Sequence, residues 1–312
     1  MKAAQIKEYG TVENIEIVDI EKPEPSAGQV QVEVYAASLN PVDTSFRQGH
    51  TRQMADIPLP ATLAGDIAGK ISALGEGVTT FAIGDMVYGT ALALMGSSGA
   101  LAEFAVTGAD RVTATPSNVS MNEAAALPLV GVSALQALTE HMDLAPGSKL
   151  FIHGASGGIG IAAVQIAKNL GVYVAGATKG SQIQAVTKAG ADLAIDVETQ
   201  DYTEMLKDYD AVLALVYGED WDKLLAVLKP GGVAVSLIGP ADETITAAHN
   251  ATVVPQMTGT NTTRLNSLRD LVESGIVTPQ VAYTFQFDQV QAAFSKREGG
   301  GVSGKVVIEI KQ

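Results

Sequence analysis

The segment Gly154-Ala155-Ser156-Gly157-Gly158-Ile159-Gly160 has a glycine spacing that can do chemistry in the place it occupies. It follows a short apolar run, Lys149 to His153, and opens an apolar-periodic stretch from Ile159 to Leu170 that Gly171 ends. Glycines at a strand-to-helix turn let backbone amides approach a pyrophosphate, and the helix N-terminus favours its negative charge. In this context the motif predicts a dinucleotide site over residues 154–160. An ordinary tight turn with glycines for packing is the alternative. The next strand, Val172 to Ala177, leads into Thr178, Lys179, Gly180 and Ser181. An NAD site usually carries Asp or Glu about 20 residues beyond the loop, but no acidic residue lies between Asp143 and Asp192. Two hydroxyls and an ammonium suit a 2′-phosphate instead. NADPH is therefore the expected cofactor, with Lys179 as its charge partner; a solvated loop lysine is the alternative.

The elements that must position this loop follow from the pattern around it. Beyond Lys149, strands are expected at Leu193–Asp196, Ala211–Val216 and Val233–Ile238, with helices between them, one of them over Trp221–Leu228. That alternation predicts a parallel, doubly wound sheet. The first third reads differently. Val30, Val32 and Val34 alternate with Gln31 and Glu33, a strand with one wet face, and Gly-rich turns recur at 75–77, 84–85 and 96–99. Such short strands predict a β-rich barrel-like or sandwich domain. Asn122 to Leu138 reads as helix with a break at Pro128, and Leu265, Leu268, Leu271 and Val272 mark an amphipathic helix before Gly275. Val306 to Ile310 reads as a strand that returns to the first domain. The expected division is a discontinuous β-rich domain over 1–118 and 257–312, and a nucleotide-binding domain over 119–256, with the ligand in a cleft between them.

Composition narrows the chemistry further. Cysteine is absent from the 312 residues, which excludes disulfides, thiolate catalysis and cysteine-bound zinc or iron–sulfur centres. The four histidines, His50, His141, His153 and His249, show no ligand spacing, so no metal site is expected. His153 reads as structural and His50 as a loop residue near the cleft. A net charge of −14 argues against nucleic acid and anionic membranes as partners. No apolar run approaches the roughly 18 residues of a membrane span, and the start lacks a signal peptide's apolar region, so the cytoplasm is the expected compartment.

Further motifs occur in a recognisable order: Asn40-Pro41-Val42-Asp43, Ala64-Gly65-Asp66-Ile67-Ala68-Gly69, Phe81 to Val87 with Gly84-Asp85, Gly99-Ala100-Leu101-Ala102-Glu103-Phe104, the glycine loop, Lys229-Pro230-Gly231-Gly232 and Gly304-Lys305-Val306-Val307. Nearly end to end, the chain resembles the zinc-independent quinone oxidoreductases of the medium-chain dehydrogenase/reductase superfamily. The resemblance implies an α/β protein made of a GroES-like β-rich catalytic domain and a Rossmann domain. It implies NADPH-dependent hydride transfer to a quinone, or to an α,β-unsaturated carbonyl as an alkenal or enone reductase would perform it, and a homodimer. Asn40 or its neighbour stands where zinc-dependent relatives have the catalytic cysteine, and Gly65-Asp66 where they have His-Glu.

Matched positions then carry expected roles. Asn40 would face nicotinamide and substrate and donate to a carbonyl oxygen, or would be a turn residue before Pro41. Asp43 would order that loop, with a proton role open. Ser133 would contact the cofactor, or bond its own helix backbone. Ile238 and Gly239 would border the nicotinamide, and Lys305 would reach the cofactor or be a surface lysine. Ser45, Leu215 and Tyr217 depart from the family pattern near the substrate. A short-chain dehydrogenase is disfavoured because no tyrosine is followed four residues later by lysine. An NADPH-binding redox sensor with little turnover is the reading from a different class.

Overall fold

In a computed structural model, residues 1–218 and 220–311 are described. The chain divides into two units: Met1–Leu129 with Thr260–Glu273 and Pro279–Gln312, and Val130–Gly259 with Ser274–Thr278. Among the described residues no helix is long and apolar enough to cross a membrane.

The first unit is built on a seven-stranded sheet. The path runs Val281–Gln286, Lys305–Glu309, Gln29–Leu39, Asp66–Leu74, Met86–Thr90, Val112–Ala114, with Phe104–Gly108 also paired to Gln29–Leu39. A smaller sheet orders Ile15–Asp19, Lys2–Ile6 and Ala61–Thr62. The expected return of the C-terminal strand is present: Lys305–Glu309 pairs antiparallel with Gln29–Leu39, Val307 opposite Ser38. Val30, Val32 and Val34 are buried together with Ile67, Ile71 and Val306, so the period-two pattern does mark the core face. The other face is not fully wet. Gln31 is buried because its amide donates to Pro23 O at 2.6 Å and accepts from Ser72 Oγ at 2.7 Å. Satisfied polar groups of this kind can be buried at little cost.

Asn40-Pro41-Val42-Asp43 belongs to a helix, Pro41–Arg47, where a loop was expected. Its signals are legible: Pro41 occupies the first turn, where its missing N–H costs nothing, and Asp43 accepts the Asn40 N–H at 2.7 Å.

The second unit is a six-stranded parallel sheet in the order Leu193–Asp196, Tyr173–Thr178, Lys149–His153, Tyr209–Ala214, Leu228–Ser236, Thr252–Pro255. This is the doubly wound sheet that the alternation predicted. The expected Trp221–Leu228 helix ends earlier, at Ala226, and Leu228 is already strand, opposite Tyr209 across a register shift. The expected Asn122–Leu138 helix is two, Met121–Ala125 and Pro128–Gln136, followed by a π-helical turn at Ala137–His141. The break falls where Pro128 has no N–H to continue the first helix. Val172–Ala177 appears as Tyr173–Thr178, and the loop helix spans Gly158–Asn169.

Candidate active site

The glycine segment lies at the carboxyl end of Lys149–His153, a central strand flanked by Tyr173–Thr178 and Tyr209–Ala214. Ligands of open parallel sheets bind at such ends. Gly154 has φ +93°, a left-handed conformation that favours glycine. Its amide and that of Ala155 both donate to Ala177 O at 3.0 Å, pinning the loop to the neighbouring strand. A Cβ on Gly160 would lie 2.5 Å from Gly154 O, so the helix can start this close to the loop only with glycine there. Gly157 caps the helix without any side-chain acceptor, and Ile161 N donates back to Gly157 O at 2.9 Å. The amides of Gly158, Ile159 and Gly160 therefore have no upstream acceptor within the helix and are disposed to bind an anion.

Ser156 and Thr178 tie the loop to the second strand end. Thr178 Oγ1 donates to Ser156 Oγ at 2.6 Å, and Ser156 Oγ donates to Gln182 Oε1 at 3.1 Å. Lys179 and Ser181 beyond them are exposed. The end of the next strand, Leu193–Asp196, brings carboxylates to this corner that no local pattern announces. A Cβ on Gly180 would meet Asp196 Oδ2 at 2.6 Å, and Gly180 N donates to Glu198 Oε2 at 3.3 Å. Ser236 Oγ donates to Gly239 O at 2.5 Å and accepts from Ile238 N at 3.2 Å, forming the turn in which Gly239 has φ +112°. Ser133 is buried and its hydroxyl pairs with Thr258 Oγ1 at 2.7 Å, a partner outside its own helix. All of these belong to the second unit.

Asn40, Asp43 and Lys305 belong to the first unit, where they converge with Asp66. Lys305 is 4% exposed, which overturns the surface-lysine alternative. Its ammonium donates to Leu39 O at 2.9 Å, to Asn40 Oδ1, and to Asp66 Oδ2 at 3.3 Å. Asn40 Nδ2 donates to the same Asp66 Oδ2 at 2.7 Å, and Ser38 Oγ does so at 3.2 Å. Asp66 Oδ1 accepts Leu129 N at 3.1 Å. The sequence marks Asp66 only as standing in a metal-ligand position of zinc-dependent relatives; its placement opposite Ser38 in the strand pair makes it the acid of this cluster. Burial pulls the Lys305 ammonium below its ordinary range against the opposing pull of Asp66 and Asp43.

Asp43 has one oxygen on the Asn40 amide, while Oδ1 is buried without a partner. Burial pushes its carboxyl up to about 7; the Asn40 N–H opposes this, the Asp66 charge adds to it, and Lys305 and Arg297 oppose it. An unfolded aspartate titrates near about 4. Between these values the folded chain holds a proton that the unfolded chain has released. Stability therefore falls as pH rises through that window, by up to about 4 kcal/mol, and levels off above it. Asp43→Asn is expected to flatten the decline, as read by thermal melts from about pH 5 to about pH 8. An unchanged slope would assign the decline to other groups.

His153 packs its ring 6.2 Å from Phe151 and 5.8 Å from Tyr202. His50 is exposed and borders two shallow surface grooves with Arg47, Arg52 and Asp56 nearby. Among the described residues no three His, Cys, Asp or Glu side chains are grouped to hold a metal ion.

Residues 26–117 match the family described as alcohol dehydrogenase GroES-like domain, and residues 189–308 the family described as zinc-binding dehydrogenase. The chain is 34% identical to 2-methylene-furan-3-one reductase of Solanum lycopersicum, over 99% of this chain and 79% of the relative. It is 31% identical to the chloroplast envelope quinone oxidoreductase homolog of Arabidopsis thaliana, over 99% and 98%. Its fold matches that of the Escherichia coli quinone oxidoreductase complexed with NADPH, with a TM-score of 0.89 and 25% identity over 99% and 100% of the two chains. With a GroES-like sheet unit, a parallel-sheet unit carrying the glycine loop, and full-length similarity of this degree, the chain belongs to the zinc-independent quinone oxidoreductase type of the medium-chain dehydrogenase/reductase superfamily.

Proposed function

We propose that this protein is an NADPH-dependent quinone oxidoreductase. The observation that carries the proposal is the turn at residues 154–160: a positive-φ glycine, a packed Gly160 and a helix start that no side chain caps. The residues present fit a dinucleotide, because a Cβ on Gly157 would meet nothing nearer than 3.6 Å, leaving the approach to the amides open. Bound NADPH supplies a hydride, so that with one proton a quinone leaves as hydroquinone and the coenzyme as NADP⁺.

The chain's residues then have distinct tasks. The amides of Gly158, Ile159 and Gly160 bind the pyrophosphate, and the Ser156–Thr178 bond keeps the loop against the second strand. Ser133, Ile238 and Gly239 border the nicotinamide side, on the expectation from matched family positions. Lys179 and Ser181, both exposed, would hold the 2′-phosphate, while Thr178 stays buried with its hydroxyl given to Ser156. In the first unit the Asn40 amide donates to the acceptor's carbonyl oxygen, lowering the cost of the charge that develops there. Asp43 holds the Asn40 backbone in place.

Lys179→Ala is expected to weaken NADPH about tenfold while leaving NADH unchanged, the loss of one exposed charge–phosphate contact. Glu198→Gln is expected to move NADPH affinity the other way, because a carboxylate on the Gly180 amide opposes a phosphate. Fluorescence titration with both coenzymes reads both variants; an unchanged NADPH-to-NADH ratio in Lys179→Ala would remove the lysine from the site.

A second reading, reduction of enones, draws on the relative at 34% identity named 2-methylene-furan-3-one reductase. Quinones and enones share a carbonyl conjugated to a double bond, so one amide donor serves either. The deciding experiment measures NADPH oxidation at saturating coenzyme with 1,4-benzoquinone, 9,10-phenanthrenequinone and 2-alkenals. Faster turnover of the quinones supports the first reading, faster turnover of the alkenals the second. Binding without oxidation would replace both with a redox sensor. A cytoplasmic homodimer is the accompanying expectation. It is supported by the absence of cysteine and by Thr252–Pro255, which has a strand neighbour on one side only among the described residues. Sedimentation tests the dimer.

A further inference from the structure

An asparagine amide is nearly symmetric in shape, so its chemistry depends on which end points where. At Asn40 the surroundings decide this. Lys305 Nζ has three hydrogens and three acceptors, Leu39 O, Asn40 Oδ1 and Asp66 Oδ2. Asp66 Oδ2 accepts from Asn40 Nδ2 at 2.7 Å. A flipped amide would point its NH₂ at an ammonium and its oxygen at a carboxylate, two like-polarity contacts in a buried place where such contacts are expensive. With the observed orientation, one Nδ2 hydrogen is engaged by Asp66 and the second has no acceptor among the described residues.

We infer that Lys305 is a positioning residue for the reaction: together with Asp66 it fixes the orientation of the Asn40 amide, so that the second Nδ2 hydrogen is always the group offered to the acceptor's oxygen. Lys305 then acts through Asn40 and not by touching the coenzyme. This rests on the quinone reductase reading for its kinetic consequence, but its structural part stands apart from it. Methionine at 305 keeps the length and apolar stem and removes the charge. The amide then loses the partner of its oxygen and samples both orientations.

Four proteins test this: Lys305→Met, Asn40→Ala, the Lys305→Met/Asn40→Ala double variant, and Lys305→Met/Asp66→Asn. The last removes the Asp66 carboxylate that Lys305→Met would leave without its ammonium partner, and serves if Lys305→Met alone fails to fold. Lys305→Met is expected to lower kcat about 10-fold to 100-fold with KM for the acceptor little changed and NADPH affinity within about twofold. In the Asn40→Ala background it is expected to cost nothing more in kcat, because its route is already gone. Independently of turnover, the Asn40 side-chain amide, assigned by its absence in Asn40→Ala, is expected to exchange with solvent slowly in the wild type. Exchange is expected to be at least about tenfold faster in Lys305→Met, or in Lys305→Met/Asp66→Asn, while backbone amides elsewhere are unmoved. Additive losses in kcat, a weakened NADPH affinity at unchanged kcat, or unaltered exchange of that amide would each overturn the inference. A wild type inert toward every acceptor would defeat the functional reading, and the exchange result would still decide the role of Lys305.

Discussion

Replacing Gly157 with aspartate is expected to abolish NADPH binding while leaving the fold at least as stable. Gly157 has φ −70° and ψ 167°, extended values open to any residue, and the space where a Cβ would go is clear to 3.6 Å. Aspartate at this position caps the Gly158–Asn169 helix, a change worth a few tenths of a kcal/mol over glycine. Its carboxylate then takes the free amides that a pyrophosphate needs. Two charges about 4 Å apart repel by about 4 kcal/mol near a protein surface, close to three orders of magnitude in affinity. Gly160→Ala gives the contrast. There the new Cβ would come within 2.5 Å of Gly154 O, so stability falls along with affinity. Thermal melts and coenzyme titration together separate the two. Gly157→Asp retaining NADPH affinity within about tenfold would mean that the amides of this helix do not bind the phosphates.

Asn40→Ala is expected to reduce kcat by about 10²-fold to 10³-fold, the usual effect of removing one preorganised donor from a developing oxyanion. The variant also leaves Lys305 and Asp66, 3.3 Å apart, without the amide that links them. A stability loss of roughly 1–3 kcal/mol therefore accompanies the kinetic one. NADPH affinity should not move, since among the described residues the Asn40 hydrogen bonds stay within the first unit, to Asp66, Lys305 and Asp43. Single-turnover rates at saturating coenzyme read the chemical step directly. A rate within about threefold of wild type would take the carbonyl-binding role away from Asn40.

The parts of this fold that sequence made legible are those where neighbouring residues act on one another. The glycine loop is continuous in the chain, and two of its glycines answer to atoms within a few residues: Gly160 to Gly154 O, Gly157 to Ile161 N. The strand at Val30–Val34 announces its core face by alternation. Even the overlooked Pro41–Arg47 helix carries its start signal in four adjacent residues. Boundaries were less legible. Leu228 reads as the last residue of a helix by its apolar spacing but pairs as a strand opposite Tyr209, a choice made by a partner 19 residues away in the chain.

The sequence by itself determined that this protein has a glycine loop at a strand-to-helix turn of a parallel sheet, no cysteine chemistry, and a C-terminal strand. Local periodicity and residue type set these, because hydrogen-bonded turns and amphipathic faces are short-range properties. Only the tertiary structure decided that Lys305 is buried against Asn40 and Asp66, residues 265 and 239 positions away. It also decided that Glu198 reaches the Gly180 amide. Such contacts arise from strand order and register. In a buried place a charge must meet its complement, and composition along the chain cannot say which one it will meet.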